Sequence, residues 1–330
     1  MAFEQPLSAE EMRRVLGAIM EGRTPPEEIR AFLTTLAERG ETAEELAAAV
    51  EVLRAHVVPL PLANPRDLCD TCGTGGDGQD TLNVSTLAAL VAAAAGVRVV
   101  KHGNRAASSR CGSADLLEAL GVNLEASPAV VARCVDELGF GFCFAPRFHP
   151  AMKAVAPIRK ELKIRTIFNL IGPLANPAPL SFQLVGVAQA RLLRPVAETL
   201  VRLGIRHGLV VRGADGLDEV TTTGPTDAVE VQADLLTGRR LEPEGLGLPR
   251  ATLEALRGGD AAHNARLARE VLEGRPGPAS DIVAANAGCA IYLAGLTRTI
   301  HDGVAQAHAT LAGGRAASLL DRVKALSHAG

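Results

Sequence analysis

Cys72-Gly73-Thr74-Gly75-Gly76-Asp77-Gly78, followed by Asn83-Val84-Ser85-Thr86 and an Ala-rich apolar run to Ala95, decides the fold. A short strand is expected over 66–69 before it, and another over 97–101 after it. Strand, glycine-rich turn, helix over 85–95 and strand make a βαβ unit, the element of a parallel sheet. The same alternation continues, with strands expected over 140–144, 183–187 and 207–211 and helices over 113–120, 128–138 and 195–203. The tail over 281–326 reads as helical and Ala-rich.

Upstream the texture differs. Ser8 caps a helix with apolar Met12, Val15, Leu16, Ile19 and Met20 at helical spacing. Thr24-Pro25-Pro26-Glu27-Glu28 opens a second helix that Gly40 closes, and Thr42-Ala43-Glu44-Glu45 is a capping box for a third. Pro59, Pro61 and Pro65 then stiffen a connector, with a boundary expected near residue 64. The fold class is therefore α/β: a small helical N-terminal unit and a larger α/β unit.

The 330 residues carry 47% hydrophobic and 22% charged side chains and no charge block, which excludes disorder as the main state. Net charge is −3, so an anionic ligand must be met by local groups rather than by an overall basic field. One Tyr and no Trp leave few stacking platforms, and neither nucleic acid nor a membrane is an expected partner. Six sparse cysteines without a secretory pattern read as reduced thiols of a cytoplasmic protein. Cys69 and Cys72 form a CxxC with no second pair, so core thiols are expected there.

Glycines at 73, 75, 76 and 78 let backbone N–H groups approach an anion. A dinucleotide fingerprint needs a helix starting inside the motif and an acid after the next strand, where Lys101 stands instead; a Walker loop lacks its Gly-Lys-Ser/Thr. Asn83 to Thr86 open a helix, where N–H groups and the dipole favour phosphate, although the same residues serve as an ordinary cap. Lys101-His102-Gly103-Asn104-Arg105-Ala106-Ala107-Ser108-Ser109-Arg110-Cys111-Gly112-Ser113 concentrates cations, hydroxyls and an amide at a strand end. All three segments converge where open α/β sheets bind ligands. Asp215-Gly216-Leu217-Asp218-Glu219 follows another strand and offers hard oxygens that suit Mg²⁺. Arg159 can clamp a carboxylate or lie on the surface, and 165–177 reads as a hinge or packing segment.

Taken together, Gly73-Thr74-Gly75-Gly76-Asp77, Asn83-Val84-Ser85-Thr86, Lys101-His102-Gly103-Asn104-Arg105, Gly112-Ser113-Ala114-Asp115 and Asp215 to Glu219 resemble the anthranilate phosphoribosyltransferase family. The likeness extends through Arg39-Gly40-Glu41-Thr42 and 165–177 to nearly the whole chain. It implies transfer of phosphoribosyl from phosphoribosyl pyrophosphate (PRPP) to the amine of anthranilate in tryptophan biosynthesis, with Mg²⁺ as cofactor. It also implies a helical domain of residues 1–64 completed by a segment near 159–177. The α/β domain would comprise 65–158 and 178–330 around a mostly parallel sheet, as in nucleoside phosphorylases, with a homodimer through the helical domain. By position, PRPP contacts fall on Gly73, Gly76, Asp77, Thr81, Asn83, Val84, Ser85, Thr86, Lys101, His102, Gly103, Asn104, Arg105, Ala106, Ala107, Ser108, Ser109 and Ser113. Anthranilate contacts fall on Gly73, Asn104 and Arg159, metal ligands on Ser85, Asp218 and Glu219, and catalytic roles on Lys101, Asp218 and Glu219.

Cys111 stands where the family leads one to expect a small residue, and Phe148 and Arg212 replace a tyrosine and a histidine. The rival enzyme, a pyrimidine nucleoside phosphorylase, resembles this family in fold, but its Arg-Gly-Leu-Gly-type signature is absent. A non-enzymatic relative that binds nucleic acid is the other alternative.

Overall fold

The computed structural model describes residues 3–106 and 109–329. The chain opens with three helices, α1 (Ala9–Met20), α2 (Pro26–Arg39) and α3 (Ala43–Ala55). Ser8 with Glu11 and Thr42 with Glu45 form the capping boxes that start α1 and α3. An α/β alternation follows: β1 (Leu68–Gly73), α4 (Val84–Ala94), β2 (Arg98–Gly103), α5 (Ser113–Ala119), α6 (Pro128–Leu138) and β3 (Phe140–Phe144). A helical excursion, α7 (Ala145–Phe148), α8 (Ala156–Leu162) and α9 (Ile167–Ile171), leads to β4 (Leu180–Gly186), α10 (Leu193–Arg202) and β5 (His207–Gly213). A hairpin, β6 (Thr226–Gln232) and β7 (Leu235–Leu241), precedes α11 (Ala261–Leu272), α12 (Pro278–Leu293), α13 (Ile300–Ala312) and α14 (Arg315–Ser327).

Among the described residues the sheet has seven strands in the order β3-β2-β1-β4-β5-β6-β7. The first five are parallel, and β6 and β7 add antiparallel at one edge. Alternate residues face opposite cores, as strand geometry requires. Val99, Phe140, Phe142, Phe144, Leu209 and Val211 pack with α4 and α11 to α14, whereas Val100, Cys143 and Val210 face α10 and the N-terminal helices. The N-terminal helices are completed from far along the chain. α8 packs on α2 and α9 on both α2 and α3, Arg30 pairs with Glu161 at 2.9 Å, and Arg54 donates to the Leu174 carbonyl at 2.8 Å.

Two strands run further than their apolar residues suggest. β1 continues through Asp70, Thr71 and Cys72 to Gly73, so Gly73 is a strand residue and the turn starts at Thr74. Asp70 is held there through one oxygen: Oδ2 accepts from Asn176 at 2.8 Å and from the His102 N–H at 3.3 Å, while Oδ1 has no partner among the described residues. β2 likewise continues to Gly103, which places Lys101 within the strand rather than at its end. The edge hairpin and α11 are additions to the elements expected from the sequence. All six cysteines are free and buried. Among the described residues no helix is long and apolar enough to cross a membrane.

Candidate functional site

The strand order reverses between the parallel neighbours β1 and β4, and the carboxyl ends of β1, β2 and β4 bound a cleft there, where open α/β sheets leave a crevice. Gly73 and Gly186 are paired in register at that edge. A Cβ on Gly186 would stand 1.6 Å from the Asp218 carbonyl oxygen, and one on Gly73 would stand 2.2 Å from Asp218 Oδ2. Two strands thus end in glycine because the acidic turn lies directly against them.

The glycine turn presents its amides to the cleft. Gly75, Gly76 and Gly78 adopt positive φ, and the Gly75 N–H donates to Asp218 Oδ2 at 2.7 Å. The amides of Gly76, Asp77 and Gly78 have no hydrogen-bond partner among the described residues, which is the donor set an anion requires. At the start of α4, capped by Asn83, the Ser85 N–H donates to Glu219 Oε1 at 3.1 Å. Asn83 itself bridges loops, donating to the Cys111 carbonyl and accepting from Asn264 of α11, each at 2.9 Å. Thr81 lies in a backbone bridge to Arg257. Val84 and Thr86 are buried, and the Thr86 hydroxyl has no partner among the described residues.

Lys101 is only 2% exposed. Its ammonium donates to the Thr71 carbonyl and, at 3.4 Å, to Ser85 Oγ. The charge therefore sits beneath the start of α4. Asp218 and Glu219 are partly exposed at the cleft yet closely ringed by protein. Desolvation pushes both carboxyls up, reinforced for Asp218 by Asp77 and for Glu219 by Asp218. Adjacent carboxylates strained by mutual repulsion are hard oxygen donors that a divalent cation relieves, so this set fits Mg²⁺. Among the described residues no three His, Cys, Asp or Glu side chains could hold a metal by themselves. Such a pair therefore leaves most positions of an octahedral ion to water and ligand oxygens. Asp215 anchors the turn from behind, accepting from Thr221 and Thr223 hydroxyls at 2.6 Å each.

A cavity of about 400 Å³ adjoins Gly73. Leu53, Met152, Phe168 and Pro173 line it apolarly, with His102, Asn104, His149 and Arg159 among its polar groups. The Arg159 guanidinium lies 5.3 Å from the Phe168 ring centroid. Among the described residues no carboxylate pairs with it, and burial alone draws its pKa down. His102 Nδ1 lies 3.1 Å from the Gly172 carbonyl oxygen. A carbonyl only accepts, so Nδ1 carries the proton and Nε2 is a bare lone pair, with no partner among the described residues. Burial, with His149 and Lys101 nearby, pushes its pKa down to about 3, so the ring is neutral at pH 7.

Most expected residues meet at this cleft, but in different capacities. Arg105 is taken up by Asp115 and Glu118 at 3.0 and 2.7 Å and lies over Phe144. Ser113 donates to the Asn104 carbonyl, and Ser109 is exposed. Ala106 donates its N–H to Asp115. Ala107 and Ser108 lie outside the described residues. His149, Met152, Phe168 and Pro173 were not expected at the site from the sequence; a histidine shortly after the β3 strand was the available signal. Phe148 is buried in the core on the side of the N-terminal helices, and Arg212 donates to the Ala188 carbonyl.

Residues 65–317 match the glycosyl transferase family, a/b domain, and residues 3–57 match its helical bundle domain. Anthranilate phosphoribosyltransferase of Thermomicrobium roseum is 49% identical over 328 residues, 98% of this chain and 94% of its own length. The crystal structure of anthranilate phosphoribosyltransferase from Thermus thermophilus superposes with a TM-score of 0.94 at 50% identity, covering 99% of this chain and 97% of that one. The Saccharomyces cerevisiae enzyme, solved in complex with PRPP and Mg, gives 0.90 at 29% identity over 98% and 94%. It has also been solved with 4-fluoroanthranilate.

Proposed function

Because the chain belongs to the anthranilate phosphoribosyltransferase family, we propose that the cavity at Arg159 takes anthranilate and the glycine turn and α4 take PRPP. The chain is a glycosyl transferase of the phosphoribosyltransferase class. One observation carries the assignment of the cavity. Arg159 is a half-buried cation with no carboxylate partner among the described residues, in a largely apolar recess of about 400 Å³, ample room for one aromatic ring with its substituents. A benzoate carboxylate supplies the missing charge and its ring the apolar contact.

In this reading the free amides of Gly76 to Gly78 and the start of α4 hold the pyrophosphate, while Lys101 maintains positive potential under Ser85. Asp218, Glu219 and Ser85 would hold Mg²⁺, which supplies positive charge to the departing pyrophosphate. Gly73 lies between the two subsites, with no side chain to separate them. The amine attacks C1 of the ribose as the C1–O bond to pyrophosphate breaks, and one amine proton is released. The His102 Nε2 lone pair is suited to accept a hydrogen bond from that amine and to direct the nitrogen lone pair at C1. Anthranilate is already nucleophilic, so positioning and leaving-group stabilisation carry the catalysis.

The same reading assigns 1–64 with a segment near 159–177 to a helical domain, supported by the packing of α8 and α9 on α2 and α3. It assigns 65–158 and 178–330 to the α/β domain, and a homodimer through the helical domain, supported by the family likeness. Cytoplasmic residence is supported by six free cysteines. The test is anthranilate fluorescence on mixing protein, PRPP and Mg²⁺, with an EDTA control. Metal-dependent loss is expected; no loss with folded protein overturns the reading.

A further inference from the structure

The peptide joining Thr74 to Gly75 is gripped at both ends. Its N–H donates to Asp218 Oδ2 at 2.7 Å, and its carbonyl accepts from Arg165 Nη2 at 3.0 Å. Arg165 Nη1 donates at 2.5 Å to the next carbonyl, that of Gly75. One guanidinium thus spans two successive carbonyls of the turn. It also presses on the following residue, for a Cβ at Gly76 would stand 1.5 Å from Nη1, and Gly76 has φ of +77°. The turn must therefore be glycine both for its backbone conformation and for the arginine beside it.

The sequence places Arg165 at the start of a hinge or packing segment, and in the structure its hydrogen bonds go to the glycine turn. Turning the carbonyls of Thr74 and Gly75 toward a cation leaves the amides of Gly76, Asp77 and Gly78 without internal partners. Arg165 lies between α8, which carries Arg159, and α9, which carries Phe168. The segment that walls the aromatic cavity thereby also holds the glycine turn.

We propose that Arg165 is a positioning residue for PRPP binding, which fixes the direction of the glycine-turn amides and ties that turn to the segment bearing the anthranilate-side residues. The proposal rests on assigning the glycine turn to PRPP. A guanidinium can span two carbonyls in a fixed plane, whereas an ammonium is a point charge. The decisive variants are therefore Arg165→Lys and Arg165→Gln, both mild enough to keep the fold, with melting temperature as the control.

Both variants are expected to raise the KM for PRPP about tenfold or more, the scale of a lost charge-assisted hydrogen bond. Their KM for anthranilate at saturating PRPP should stay within about twofold. In the ligand-free protein, amide hydrogen exchange over residues 74–78 should quicken in both variants while exchange in α1 stays as in wild type. Wild-type KM in Arg165→Lys beside a defective Arg165→Gln would mean a plain charge on the substrate and would overturn the positioning role. Unchanged PRPP KM or unchanged exchange in both variants would overturn it too. Wild-type protein without turnover would remove the functional premise and the proposal with it, whereas an active wild type with indifferent variants removes the proposal alone.

Discussion

A lysine inside a strand needs oxygen around its ammonium, and Lys101 has the Thr71 carbonyl, the Ser85 hydroxyl and the nearby charge of Glu219. Its replacement by Met removes the buried positive charge beneath the anion site while keeping an unbranched side chain. Turnover, measured by anthranilate fluorescence, should fall about 30- to 1000-fold, the range for one preorganised electrostatic contact. Arg159→Ala acts differently if Arg159 clamps the anthranilate carboxylate as proposed, for it then removes a ground-state contact to one substrate. KM for anthranilate should rise about tenfold or more with the PRPP KM nearly unchanged; equal increases would assign Arg159 to structure. At this scale the sequence was informative wherever a residue type announces its chemistry in local context. The glycine run, the Asp218-Glu219 pair and Arg159 all stand at the cleft. The apolar wall was not legible, since Met152, Phe168 and Pro173 resemble any core residue until folding brings them around Arg159.

Between elements, a single carboxylate carries unusual weight. Glu230 of β6 accepts from His207 of β5 at 2.8 Å, from Tyr292 of α12 at 2.7 Å and from Arg239 of β7 at 2.6 Å. The hydrogen bond from His207, with those from Tyr292 and Arg239, holds its pKa down at about 2 from the ordinary 4.5. A depressed carboxyl stabilises the fold above its unfolded-state pKa, and that contribution is lost as pH falls from about 4.5 toward 2. Glu230→Gln should therefore cost about 1–3 kcal/mol in urea unfolding at pH 7. The difference from wild type should shrink at pH 3, and a pH-independent difference would refute the ionic account. The hairpin that bears this cluster went unrecognised in the sequence. β7 is mostly exposed and carries Arg239 and Arg240, charges that shield a sheet edge but look like loop composition. The parallel strands were legible because their apolar runs lie between glycine turns. The ends of β1 and β2 were not, because Asp70, Thr71 and Lys101 carry no apolar signal and find their partners, Asn176, the His102 N–H, the Thr71 carbonyl and Ser85, only once the chain is folded.

Over the whole molecule, the two cores meet at the sheet, and the functional cleft opens where the N-terminal helices and their late-joining partners overhang its carboxyl edge. A homodimer through those helices predicts a light-scattering mass twice that of one chain, at concentrations used for assay. A mass of one chain with full activity would overturn it. The interleaving of distant segments also imposes an order in time. α1 to α3 are translated well before α8 and α9, yet Ile29, Phe32 and Leu36 share a core with Ile158, Ile167 and Phe168, which follow by over a hundred residues. At ordinary elongation speeds of about 5–20 residues per second, that is about 5 to 25 s during which a nascent greasy face has no native cover. Emerging from the ribosome, this protein would therefore be a client for a holding chaperone until its ninth helix arrives.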